Sequence, residues 1–159
     1  MRRSCPGCFH VEVLCQQWGQ PFLDEARRLG LRHGRWVWLR EVFLCCGNSP
    51  WIYARSAIPR QALQGRLRVL QQLGRQPLGR VLFGRYPVSR GDIEIARLGV
   101  RDELYCQLTR RTTAAPGCWA RRSVFHIGGY SLLVTEVFLP ELVAWAANAS
   151  ANTSPRSSG

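Results

Sequence analysis

Ser131-Leu-Leu-Val-Thr-Glu-Val-Phe-Leu-Pro140 reads as a strand with one residue out of place. Side chains on a strand alternate faces with period two. Leu132, Val134, Glu136 and Phe138 therefore share a face, and only Glu136 is polar. A buried unpaired charge costs several kcal/mol or more, so this carboxylate must be paired, protonated or lining a ligand cavity. Upstream, Trp119 to Ile127 forms a second alternating run, and Gly128-Gly129 between the two permits the positive φ values of a tight primed turn. Pro140 ends the strand and opens a helix with Leu142 and Trp145 on its inner side. A hairpin that runs into a helix is the unit of an antiparallel sheet.

Two more strands break the same rule with the opposite sign. In Trp36-Val-Trp-Leu-Arg-Glu-Val-Phe-Leu-Cys45 one face reads Trp36, Trp38, Arg40, Val42, Leu44. In Trp51-Ile-Tyr-Ala-Arg-Ser-Ala-Ile58, Arg55 shares a face with Trp51, Tyr53 and Ala57. Gly47-Asn-Ser-Pro50 joins these two strands as a hairpin turn. Each charge alone fits an ion pair or an arginine snorkelling to the sheet edge. One acid and two guanidinium groups together fit a pocket for a small anion, and the three are expected to meet on one sheet face under helices.

The rest of the chain fits that frame. Residues 9 to 15 alternate as a strand, and 21 to 30 read as a loop with a helical turn. Leu63, Leu67, Leu70 and Leu73 hold a helical stripe over about 60 to 73, weakened by Gly65 and stopped by Gly74. Pro77-Leu-Gly79 then opens a short helix, where backbone N–H groups are placed to hold an anion. Asp92 to Arg97 is a short strand. Residues 98 to 118 read as an extended loop around a strand-like piece at 104 to 108. Hairpins joined by a helix, without regular βαβ alternation, give an α+β fold: an antiparallel sheet with helices on one face. The domain is expected over 1–147, with a disordered Ala/Asn/Ser/Thr tail over 148–159.

Composition narrows the function. The chain has 159 residues and a net charge of +12, with every basic residue an arginine. The arginines are scattered rather than laid in a stripe between aromatics, which argues against a nucleic-acid module. No run reaches the ~18 apolar residues of a membrane helix, and the basic start lacks an apolar signal core. A cytoplasmic protein without membrane association is expected. The seven cysteines are an odd number, and Cys5-Pro-Gly-Cys8 has no second pair at zinc spacing. Reduced, inert thiols and no metal site are expected.

Several stretches, in order, resemble the chorismate pyruvate-lyase family. They are Trp38-Leu-Arg-Glu41, Leu44-Cys45, Pro50-Trp51, Ala54-Arg-Ser-Ala-Ile-Pro59, Leu73-Gly74, Pro77-Leu-Gly-Arg80, Leu82-Phe83, Ile93-Glu-Ile95, Arg121-Arg-Ser123 and Leu132 to Pro140. The resemblance implies an antiparallel sheet whose helices lid an internal pocket. It implies that Arg40 holds the ring carboxylate of chorismate with help from the Leu78 N–H, and that Glu136 meets the ring hydroxyl. Arg55 is the candidate for the enolpyruvyl carboxylate, on charge and placement more than on motif. Glu136 and Arg55 are thus the expected catalytic residues, and Glu136 acts either as an anchor or in proton movement. Two arginines suit a substrate with two carboxylates. Pyruvate loss aromatises the ring, so no cofactor is expected. Family members also carry an N-terminal helical region that gives the pocket an apolar side chain. This chain is expected to begin near the end of that region, with Met1 near the contact.

A monomer acting on a small molecule is the resulting expectation, with pyruvate and 4-hydroxybenzoate as products on the way to ubiquinone or related phenolics. The alternative is a non-catalytic effector-sensing domain of the same fold. Such domains follow a helix-turn-helix module, and no signature of one is seen.

Overall fold

The computed structural model describes residues 5–85, 87–112 and 117–151. Among these residues seven strands build one antiparallel sheet: β1 (Phe9–Gly19), β2 (Val37–Cys46), β3 (Ser49–Pro59), β4 (Val88–Arg90), β5 (Glu94–Arg97), β6 (Trp119–Ile127) and β7 (Tyr130–Phe138). Their order is β1-β2-β3-β7-β6-β4, and β5 pairs with β6 beyond β4. Both expected hairpins form. The second turns at Gly128 and Gly129, with φ of 56° and 82°. Four α-helices of the described residues accompany the sheet: α1 (Leu23–Arg28), α2 (Leu78–Arg85), α3 (Glu103–Thr109) and α4 (Pro140–Ala151).

Register defines two sheet faces. Arg40 stands opposite Ser56, Ser56 opposite Val134, and Val134 opposite Ser123. One step along the strands, Val42, Ala54, Glu136 and Arg121 make the next row. These residues share what we term the lid face. The rear face carries Glu41, Arg55, Thr135 and Arg122 in register, bordered by Phe43, Tyr53 and Val137.

The lid face lies under the leucine stripe. Leu63, Leu67, Leu70 and Leu73 are buried against Ile58, Phe125 and Leu132, together with Leu78 and Leu82 of α2. The stripe is as expected, but its backbone is not one α-helix. It is two 3₁₀ segments, Arg60–Leu63 and Gly65–Gln72, separated by an extended Gln64 (φ −96°, ψ 156°). The glycine after Gln64 has little intrinsic preference for helix. Leu142 and Trp145 of α4 cover another part of the lid face, beside Ala54 and Phe138.

The shorter helices α1 and α3 lie over the rear face, so helices are not confined to one side. α3 occupies chain expected to be loop and strand. Asp102 stands at its N-cap and the Cys106 N–H bonds the Asp102 carbonyl. Leu104 and Leu108, one turn apart, pack on Phe43, Tyr53 and Val137. That spacing is helical, not strand-like. α4 continues through Ala151, past Asn148, where a tail had been expected; the alanines there are strong helix formers. The remaining tail, 152–159, lies outside the described residues, as does Met1.

Cys5 and Cys46 are paired as a disulfide with Cα atoms 5.8 Å apart, against the expectation of reduced thiols. The cause is register: Phe9 opens β1 opposite Cys46. The chain just before Phe9 therefore lies over the end of β2. Cys8, Cys15, Cys45, Cys106 and Cys118 are not in a disulfide. No group of three metal-ligating side chains occurs among the described residues. No described helix is long and apolar enough to cross a membrane.

Candidate functional site

Arg40 is the buried cation of the lid face, 2% exposed. Its Nε donates to Gln16 Oε1 on β1, and Nη2 donates to the carbonyls of Gly74 and Gln76 at 3.0 and 2.9 Å. No carboxylate pairs with it among the described residues, and Nη1 has no partner there. Burial pushes its pKa down to about 10. A charge held dry on neutral acceptors favours an incoming anion.

The turn that accepts from Arg40 also heads α2. Gly74 takes φ of 49°, and the Gln76 N–H bonds the Leu73 carbonyl. Leu78, the first residue of α2, is buried at 8% exposure. Helix-start N–H groups have no acceptor within the helix, and that of Leu78 has no backbone acceptor elsewhere among the described residues. The turn therefore offers Arg40 its carbonyls and an anion its N–H.

Glu136 lies on the same face, partly buried. It is opposite Arg121, whose Nε donates to Glu136 Oε2 at 2.6 Å. The Arg121 guanidinium also lies 5.5 Å from the Phe138 ring centre. Two strand spacings and two residue rises put the Cα atoms of Arg40 and Glu136 roughly 12 Å apart. Between them β3 supplies only Ala54 and Ser56, both buried, and β7 supplies Val134. Small residues there leave a low floor between a cation and a carboxylate. Ser123 extends that floor onto β6 and accepts a hydrogen bond from Arg90 Nε at 2.9 Å.

Arg55 does not join them. It points to the rear face and is 3% exposed. There Nε donates to Glu25 Oε1 at 2.8 Å, Nη2 to Glu25 Oε2 at 3.2 Å, and Nη1 to Glu41. The Phe22 ring lies 4.0 Å from its guanidinium carbon, and the Phe22 N–H donates to Glu25. Gln107 donates to both oxygens of Glu41, and Arg111 sits 3.6 Å from it. Burial opposes the Arg55 charge, but the Glu25 hydrogen bond and the charges of Glu25 and Glu41 outweigh it and raise its pKa. Burial and the Glu41 charge also raise the pKa of the Tyr53 hydroxyl. Arg55 is thus neutralised within the protein and separated by the sheet from Arg40 and Glu136. The expected meeting of three charges is corrected to two. A cleft of about 700 Å³ opens on this rear side beneath α1 and α3, lined by arginines and acidic residues together.

Sequence reasoning missed Glu25 and Glu41, and on the lid face Gln16, Arg90, Ser123 and the pairing role of Arg121. Glu41 carried the same signal as Glu136, an acid among Val37, Leu39 and Phe43.

The chorismate lyase family model matches residues 1–147. A protein of Halorhodospira halophila, named probable chorismate pyruvate-lyase, is 47% identical over 136 residues, covering 85% of this chain and 72% of its own length. One of Aromatoleum aromaticum with the same name is 42% identical over 146 residues, covering 89% and 78%. Among solved structures, the PhnF C-terminal domain aligns with a TM-score of 0.64 at 14% identity over 88% of each chain. The C-terminal domain of the histidine utilization repressor of Pseudomonas syringae pv. tomato aligns at 0.63 and 13% identity, covering 84% of this chain and 93% of that one. At such identities the structural matches establish the fold.

Proposed function

The chain belongs to the chorismate lyase family, and on that premise we propose that it releases pyruvate from chorismate to leave 4-hydroxybenzoate. The observation that carries the proposal is Arg40, a buried cation without an acid partner among the described residues, facing Glu136 across a floor of small side chains. Arg40 and the Leu78 N–H take the ring carboxylate, and Glu136 takes the ring hydroxyl. An aromatic acid with a para hydroxyl is complementary to those two ends.

In the reaction, the ring carbon–oxygen bond to the enolpyruvyl group breaks and that oxygen becomes the ketone of pyruvate. A ring hydrogen is transferred to the enolpyruvyl methylene, and the ring is left aromatic. Atoms and electrons balance without a co-reactant. The protein's contribution is to hold one reactive conformer and to aim donors at developing charge. Arg121 Nε holds Glu136 Oε2 at 2.6 Å, which leaves the other carboxylate oxygen to accept the ring hydroxyl's hydrogen bond. The lyase domain is proposed for the cytoplasm as a monomer, feeding ubiquinone or another phenolic product. The relatives' names favour catalysis over an effector-sensing role.

The test is to supply the purified chain with chorismate and measure 4-hydroxybenzoate and pyruvate, expected in equal amounts. Soluble folded protein that forms neither above the spontaneous rate overturns the proposal. Arg40→Ala and Glu136→Ala are each expected to lower kcat/KM by about a hundredfold or more, the scale of a lost charged hydrogen bond with its desolvation. Full activity in both variants would show the site is elsewhere.

A further inference from the structure

With Arg55 committed to the rear face, the second carboxylate of a chorismate-like substrate has no assigned partner; this inference rests on the lyase reading above. We propose that Arg90, held on Ser123, binds that carboxylate. Arg90 closes β4 at the sheet edge, opposite Phe125, so its side chain belongs to the lid face. Its Nε reaches inward to Ser123 Oγ at 2.9 Å, and its guanidinium lies 5.4 Å from the Phe125 ring centre. Its backbone is fixed next door, where the Gly91 N–H bonds the Val124 carbonyl at 2.8 Å. Arg90 has no carboxylate partner among the described residues, and both terminal nitrogens are free of protein acceptors there. Ser123 is 2% exposed, so the contact carries the cation to the buried floor of the site.

The placement matches the branching of the substrate. Ser123 shares a row with Arg40 and lies one strand across and two residues along from Glu136. That is roughly 14 Å and 8 Å between Cα atoms. A ring running from Arg40 to Glu136 carries its enolpyruvyl branch next to the hydroxyl, on the side that Ser123 and Arg90 occupy. Glu136 would repel a carboxylate brought so close. Arg121 offsets that charge at 2.6 Å, and Arg90 supplies the attraction. A guanidinium is the side chain suited to gripping a carboxylate through two nitrogens.

Substrate and product differ by this carboxylate, and that separates a binding role from a structural one. Chorismate turnover is measured for wild type, Arg90→Gln and Ser123→Ala, and binding of 4-hydroxybenzoate is measured by calorimetry. Arg90→Gln is expected to raise KM for chorismate about ten- to a hundredfold while leaving the 4-hydroxybenzoate Kd within about twofold. Ser123→Ala is expected to give a smaller loss of the same selective kind. An unchanged chorismate KM in an active Arg90→Gln enzyme overturns this inference alone, and so does a parallel loss of substrate and product binding. A wild-type chain without chorismate turnover overturns the lyase reading and this inference with it.

Discussion

Replacing Arg55 by Met is expected to damage the fold rather than the chemistry. The side chain sits between two carboxylates that are themselves nearly dry: Glu25 is 3% and Glu41 2% exposed. Glu41 keeps Gln107 and, at 3.6 Å, Arg111. Among the described residues, Glu25 keeps only the Phe22 N–H. Removing one member of a buried pair costs about 3–5 kcal/mol, because the remaining charge is left uncompensated. For a chain of this size that corresponds to a fall in Tm of roughly 6–20 °C. The assay is thermal and urea unfolding followed by circular dichroism at pH 7, with chorismate turnover measured below the transition. Adding Glu25→Gln and Glu41→Gln to Arg55→Met removes the stranded charges and is expected to restore much of the loss. A variant with Tm within about 2 °C of wild type but no activity would refute this reasoning, since Arg55 would then act on substrate.

Arg40→Met should behave in the opposite way. Burial pushes its pKa down to about 10, which corresponds to a burial cost of about 3 kcal/mol. Its three hydrogen bonds return about 1 kcal/mol each. The two nearly cancel, so unfolding stability should change by no more than about 1 kcal/mol. The affinity for 4-hydroxybenzoate, read by calorimetry, should fall about tenfold or more; large destabilisation with intact binding would contradict the assignment. The Cys5–Cys46 disulfide closes a span of 41 residues, which predicts a loss of about 4 kcal/mol on Cys46→Ser. Comparing Tm with and without reductant checks this, and wild type insensitive to reductant would show that the bond contributes nothing.

Much of this molecule can be read from its sequence because most of its elements announce themselves locally. The hairpin around Gly128-Gly129, the leucine stripe and the Pro77-Leu78-Gly79 turn all sit where their own residues put them. So do Arg40 and Glu136, each found as a charge on an apolar strand face. What local reading does not supply is which faces coincide between strands. At the β2–β3 turn, Cys46 pairs with Ser49 and Cys45 with Pro50. Continued without interruption, that register would set Arg40 directly opposite Arg55, on one face, as the alternation alone suggests. Instead Leu44 pairs with Ile52, and Trp51 is left as a bulge. Trp51 packs with Ile52 and Ala54 on the lid face, its ring 4.8 Å from that of Trp145. Beyond it every pairing is moved by one residue, which exchanges the faces of all that follows. Arg55 is thereby turned to Glu41, and Ser56 takes its place beside Arg40. The bulge keeps a second guanidinium from crowding the first and leaves a small side chain on the floor between Arg40 and Glu136. The division between an ion cluster that holds the sheet to α1 and a site open to an anion follows from that one extra residue.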